Sequence, residues 1–148
     1  RRRMEVFHES SGVTFIDDFA HHPTAVRETI AAARMRWPGR RLWVLFEPRS
    51  NTTVTRRFQG EMTDAFGNAD IVWLGPLHRA ESIPLPERLD REELARDLTG
   101  RGVHASCADD VSAIVEALSS GVTPGDVVLI LSNGAFGGIY ARIREVFA

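Results

Sequence analysis

The sequence contains no lysine; its eighteen basic residues are all arginine. That absence removes whole classes of chemistry. A phosphate-binding loop of the form G-x-x-x-x-G-K-[ST] needs a lysine to reach the β- and γ-phosphates, so none exists here. A Schiff-base lysine is excluded on the same ground. Any role in ATP chemistry therefore requires the main phosphate-binding loop to come from another segment. Cysteine is almost absent as well. The single Cys107 rules out an intramolecular disulfide and points to a reducing, cytoplasmic setting. No apolar run approaches the roughly 20 residues of a membrane span, so no membrane partner is expected. Twenty acidic residues against eighteen basic ones argue against a dedicated nucleic-acid binder.

What is present reads as one domain of residues 1–148 with an ordinary core, 43% of the residues being hydrophobic. Met4 to His8 and Val13 to Asp17, separated by Glu9-Ser10-Ser11-Gly12, predict a β-hairpin. Pro23 suits the first position of a helix, and Val26, Ile30, Ala33 and Trp37 continue it as one apolar stripe. Leu42 to Phe46 is a continuous apolar run, the pattern of a strand buried on both faces. A helix marked by Phe58, Met62 and Ala65 and a short strand over Ile71 to Leu74 come next. A long surface loop is expected from Leu77 to Leu89. Asp90 with Glu93 opens a helix through Leu94 and Leu98, closed by Gly100 and Gly102. Val103 to Cys107 predicts a short strand, and Val111, Ile114, Val115 and Leu118 a further helix. Val127 to Leu131 is the strongest buried strand, and Ile139, Ile143 and Val146 line a last helix.

Strands alternating with helices predict an α/β fold of three layers, a mostly parallel sheet with an antiparallel hairpin at one edge and helices on both faces. Ligands in such folds bind beyond the carboxyl ends of the strands. Three polar segments fall there. Asp17-Asp18-Phe19-Ala20-His21-His22-Pro23-Thr24 gathers two carboxylates and two imidazoles, and three readings stay open: metal ligands, caps of the helix that Pro23 opens, or contacts to a nucleotide. Glu47-Pro48-Arg49-Ser50-Asn51-Thr52 is either an ordinary polar turn or a carboxylate-binding loop with Arg49 as the fork. Ser132-Asn133-Gly134-Ala135-Phe136-Gly137-Gly138 is similar to an anion-binding loop but lacks G-x-G-x-x-G spacing.

Taken in order, these segments resemble a known family. Asp17 to Thr24 is similar to the Asp-Asp-Tyr/Phe-x-His-His-Pro-Thr motif that opens the C-terminal domain of UDP-N-acetylmuramate ligases of the Mur ligase family. Arg2-Arg3-Met4-Glu5 resembles the Lys-Arg-Arg-x-Glu/Asp segment after the interdomain hinge. Phe46 to Thr52 and Ser132 to Gly138 look closer to the murein peptide ligase branch than to the branch that adds L-alanine. There the corresponding segments usually read Gln-Pro-His-Arg-Tyr and Gly-Ala-Gly-Asn-Ile-Gly.

The resemblance implies a Rossmann-like domain, with residues 1–5 ending the hinge and the UDP-sugar and ATP-binding domains lying outside this chain. It implies ATP and Mg²⁺ as cofactors, held mainly by the missing central domain. It also implies an acyl-phosphate route joining UDP-N-acetylmuramate to the tripeptide L-Ala-γ-D-Glu-meso-diaminopimelate, in peptidoglycan recycling. By matching motifs, Arg3, Asp18 and His21 contact the nucleotide, with His21 also at the reacting centre. Arg49, Ser50 and Asn51 hold the peptide, and Ser132, Asn133 and Gly134 complete that pocket. No metal ligand is assigned to the chain. The competing expectations are an L-alanine acceptor, a non-catalytic α/β ligand-binding module, and a metal-dependent hydrolase using Asp17, Asp18, His21 and His22.

Overall fold

Two apolar strands, Leu42–Phe46 (β3) and Val127–Leu131 (β6), fix the centre of the sheet, and every residue of both is buried. In the computed structural model, which describes residues 2–50 and 53–148, they pair in parallel with Trp43 opposite Val128 and Phe46 opposite Leu131. The remaining elements are Glu5–Ser10 (β1), Val13–Asp18 (β2), Pro23–Arg36 (α1), Gln59–Phe66 (α2), Ile71–Leu74 (β4), Arg91–Gly100 (α3), His104–Cys107 (β5), Val111–Gly121 (α4) and Ile139–Val146 (α5). The six strands run in the order β1-β2-β6-β3-β4-β5. Only β1 is antiparallel, joined to β2 through Ser11-Gly12, both at positive φ as a tight hairpin turn requires. The expected layered α/β fold with an edge hairpin is what the chain adopts.

Period-two alternation along each strand divides the core between two faces. Leu42, Val44 and Phe46 join Ile16, Leu129 and Leu131 under α1, α2 and α3, where Val26, Ile30, Met62, Phe66, Leu94 and Leu98 bury their side chains. Trp43 and Leu45 point the other way with Phe15, Val128 and Ile130, covered by Ile114, Val115 and Leu118 of α4 and Ile139 and Ile143 of α5. Each fully buried Leu, Ile or Phe contributes about 1.5–3 kcal/mol by removal from water.

Local expectations change in four places. Val146 does not line the buried face of α5; it is 47% exposed, because the short helix ends there and Phe147 turns in against Phe15 instead. Trp37 lies one residue past α1 and is half-buried. Phe58 belongs to a 3₁₀ turn, Arg56–Phe58, that precedes α2. The 77–89 segment is not featureless: it holds 3₁₀ turns at Ala80–Ser82 and Leu85–Glu87, and Arg88 bridges back to Thr55.

The strand ends set where ligands can reach. Past the last paired residues, Ser132 N–H donates to the Asp18 carbonyl (3.3 Å), Glu47 to Leu131 (3.0 Å), Gly75 to Phe46 (2.8 Å) and Ala108 to Leu74 (2.9 Å). Five carboxyl ends thereby line up along one edge. At the opposite edge, Asp126, 2% exposed, accepts from the Arg41 guanidinium at 2.7 Å, the Trp43 indole at 2.9 Å and the Thr123 N–H at 3.0 Å.

Burial works to raise the Asp126 carboxyl pKa, but Arg41, the Thr123 N–H and the Trp43 indole outweigh it and hold the group below the usual carboxylate value. A depressed folded pKa gives stability that is present above the unfolded value near 4 and lost as pH falls through the folded one. Asp126→Ala is expected to lower unfolding free energy by about 2 kcal/mol or more at neutral pH, by stranding buried donors. The gap between urea melts of the two proteins should narrow in strong acid; a gap of unchanged width there contradicts the assignment.

Candidate functional site

The end of β2 builds the first hollow. Asp17 and Asp18 point to opposite faces there, and both are buried. Asp17 takes the Arg2 guanidinium in a fork, Nε at 2.9 Å and Nη2 at 3.3 Å. Arg2 Nη2 also donates to the Ser132 carbonyl (3.0 Å) and the Tyr140 hydroxyl (2.8 Å). Asp18 accepts from the Met4 N–H and the Ala20 N–H, both at 2.8 Å, and from the Thr29 hydroxyl at 3.4 Å.

Fixing Met4 and Ala20 to one carboxylate brings the chain on either side together around a cavity of about 540 Å³. Arg3, Asp18, His21, Glu28 and Thr29 line it. His21 Nδ1 donates to the Phe19 carbonyl (3.0 Å), since a carbonyl can only accept, which leaves Nε2 for a ligand. His22 stands at the N-cap of α1 but makes no capping bond with its side chain, and Asp18 caps no helix either. The first N–H groups of α1 therefore lack a side-chain cap beside an arginine and an imidazole, an arrangement suited to anionic oxygen.

The ends of β3 and β6 build the second. Ser132, fully buried, donates its hydroxyl to the Glu47 carboxylate and accepts from the Gly134 N–H at 2.9 Å. Glu47 is itself buried and stands 3.8 Å from an Arg49 nitrogen. Arg49 reaches His78 Nδ1 at 3.1 Å and lies against Gly134, where a Cβ would come within 2.2 Å of its Nε. Only glycine leaves the guanidinium that room. A cavity of about 530 Å³ opens alongside, lined by Arg49, Ser50, His78, Arg79 and Asn133. The Asn133 Oδ1 is buried there without a partner among the described residues. Ser50 accepts from the Thr53 N–H (3.2 Å) and shares a hydrogen bond with its hydroxyl (2.7 Å).

The structure thus brings Arg3, Asp18 and His21 around one hollow and Arg49, Ser50 and Asn133 around another. The two lie at the ends of adjacent strands. Ser132 and Gly134 lie beneath the second cavity, supporting Arg49. Asn51 lies outside the described residues. Sequence reasoning missed Glu47 and His78, which hold Arg49, and Arg2, which ties the chain start to β2 and the 132–134 loop.

Among the described residues no group of three or more His, Cys, Asp or Glu side chains stands together as a metal would need. Cys107 is a poor nucleophile, because burial pushes its thiol pKa up. No helix among the described residues is long and apolar enough to cross a membrane.

Comparison with known proteins identifies relatives of this chain. Residues 2–134 match the family model described as "Mur ligase, glutamate ligase domain". The UDP-N-acetylmuramate–L-alanine ligase of Chloroflexus aggregans is 39% identical over 142 residues, covering 96% of this chain and 30% of the relative. The UDP-N-acetylmuramate–L-alanyl-γ-D-glutamyl-meso-2,6-diaminoheptandioate ligase of Escherichia coli K12 is 36% identical over 150 residues, covering 100% and 30%. A murein peptide ligase crystal structure from Psychrobacter arcticus superposes with a TM-score of 0.83 at 29% identity, covering 99% of this chain and 30% of that one. The chain spans about 30% of the length of these relatives.

Removing the Ser132 hydroxyl is a direct check of the second hollow. Ser132→Ala should cost about 1–3 kcal/mol, because the buried Glu47 carboxylate loses its donor. Chemical denaturation measures this, and an unchanged midpoint would show that the bond contributes nothing.

Proposed function

The chain belongs to the Mur ligase family through its glutamate ligase domain, and on that premise we infer that it is the acceptor-binding, C-terminal domain of an ATP-dependent peptidoglycan ligase. Members of this family are ATP-dependent ligases that form C–N bonds. The observation that carries the reading is the shared edge: the nucleotide-type hollow beyond β2 and the arginine-lined hollow beyond β6 and β3 both lie at carboxyl ends of the sheet, with the Ser132–Glu47 bond beneath the second.

In the proposed reaction the carboxylate of UDP-N-acetylmuramate arrives as an acyl phosphate made from ATP. The acceptor amine attacks it; a C–N bond forms, the C–O bond to phosphate breaks, and the amine gives up a proton. Arg3 and His21 hold phosphate oxygens at the α1 N-terminus, and Asp18 fixes the backbone around them while facing the ribose. Arg49 neutralises a carboxylate of the acceptor and, with Ser50, Asn51 and Asn133, sets the amine in line for attack. The described residues do not fit a magnesium ion. Asp17 and Asp18 are already engaged by Arg2 and by backbone N–H groups, and no metal-holding cluster stands nearby. In this reading the metal is held mainly by the domain that carries the phosphate-binding loop.

The acceptor we favour is the tripeptide L-Ala-γ-D-Glu-meso-diaminopimelate. Support comes from the Glu47-Pro48-Arg49-Ser50-Asn51-Thr52 segment and the close superposition on a murein peptide ligase. L-Alanine is the second reading, favoured by the 39% identity to an L-alanine ligase.

The purified 148-residue chain should form no amide from ATP, UDP-N-acetylmuramate and tripeptide. The same domain joined to UDP-sugar and ATP-binding domains should do so, with tripeptide preferred over L-alanine. Turnover by the chain alone would overturn the half-site reading, and preference for L-alanine would select the second acceptor. In the joined enzyme, Arg49→Ala should raise the acceptor KM about tenfold or more with little change in that for ATP. Equal effects on both substrates would remove Arg49 from the acceptor pocket.

A further inference from the structure

The carboxyl edge holds one more hollow, of about 630 Å³, beside β4 and β5 between the 76–89 segment and the start of α3. Arg91 anchors it. One terminal nitrogen of Arg91 donates to the carbonyls of Ala108 (2.8 Å), Gly75 (3.1 Å) and Leu74 (3.4 Å), so the guanidinium is fixed across the ends of two parallel strands. Its other terminal nitrogen meets Asp109 at 3.4 Å, a side chain that is 99% exposed. Arg88 lines the same hollow. Its Nη2 donates to the Ile83 carbonyl (2.8 Å), and its Nε is buried with no partner among the described residues. Arg88 thus keeps a buried donor that no described residue uses, and an unused buried donor is costly.

The signs around the hollow are mixed. Arg88 and Arg91 line it together with Asp109 and Glu92, Arg91 meeting only the fully exposed Asp109 at 3.4 Å, and Arg56 and Asp90 stand 3.6 Å apart at its rim. A lone carboxylate or phosphate would meet the two acids, and a lone ammonium the two arginines. A group carrying ammonium and carboxylate on one carbon satisfies both.

The spacing along the edge is also informative. Neighbouring strands lie about 4.8 Å apart, so the ends of β3 and β5 are separated by about 10 Å. Three extended residues span about the same length. The 76–89 segment lines both hollows, with His78 and Arg79 on the Arg49 side and Leu77 and Ala80 on the other.

We propose that this hollow is the distal subsite of the acceptor, binding a zwitterionic α-amino-acid terminus through its carboxylate at Arg91 and Arg88 and its ammonium at Asp109 and Glu92. The inference rests on Arg49 holding the near part of the same acceptor.

The test titrates the 148-residue chain by NMR with the meso-diaminopimelate tripeptide and with the same peptide ending in L-lysine, which keeps the distal ammonium but lacks the carboxylate. The diaminopimelate peptide should bind about tenfold more tightly. Arg88→Gln and Arg91→Gln should bring that ratio towards one. Asp109→Asn, on a 99% exposed side chain that meets only Arg91, should weaken both peptides alike and leave the ratio in place. Equal affinities in the unsubstituted chain, with Arg49→Ala still abolishing both, would overturn the distal subsite and leave the acceptor pocket standing. Absence of binding by either peptide, or binding indifferent to Arg49→Ala, would overturn the acceptor pocket and the subsite with it.

Discussion

A single buried hydrogen bond, from the Ser132 hydroxyl to the Glu47 carboxylate, organises the working edge of this domain. It joins the first residues beyond β6 and β3, which chain order places 85 positions apart. A carboxylate at this depth persists only with strong partners. Ser132 supplies one, and Arg49 is the nearest cation. The same serine receives the Gly134 N–H, while its carbonyl receives Arg2. Arg49 on one side and Arg2 on the other are thereby referred to one residue. The hollows beside them share a common frame although neither is enclosed.

Arginine does most of the stitching in this protein, which follows from the absence of lysine. A guanidinium offers five donors in a plane, so one side chain can serve several carbonyls at once. Arg91 does this across β4 and β5, and Arg34 ties Asn68 and Arg40 together beneath α1. Arg40 reaches Gly125, Gly12 and Asp126 at the opposite edge. An ammonium could satisfy some of these acceptors, but it could not span them in one plane.

Much of the architecture was legible because it rests on short-range pattern. Leu42 to Phe46 and Val127 to Leu131 carry no polar interruption, and burial on both faces leaves them no other role. The hollows at Asp17–His21 and Arg49–Ser50 were legible as positions, since polar residues following buried strands have one edge to occupy. Their internal wiring was not. Glu47 reads as part of a polar turn until Ser132 is brought next to it, and no local signal records a pairing across that distance. Three consecutive arginines are equivalent on paper; the hairpin's direction decides that Arg2 turns towards Asp17 while Arg3 faces the cavity. Val146 continued a helical stripe that the chain abandons for Phe147, a choice made by the space left against Phe15. The Arg91 hollow was hidden for the same reason as Glu47, because its floor is three carbonyls from two strands.

Tyr140 has a spectroscopic consequence. It is the sole tyrosine of the chain, and its hydroxyl accepts from Arg2 at 2.8 Å. Burial raises its pKa first and Asp17 raises it further, against the opposing pull of Arg2. Buried beside Asp17, the phenol resists ionisation well into alkali, and the seated Arg2 is the partner that eases it. Release of the N-terminal segment would withdraw that cation and alter the burial of the hydroxyl, so the ultraviolet absorbance of one phenolate reports whether the start of the chain is docked against the sheet.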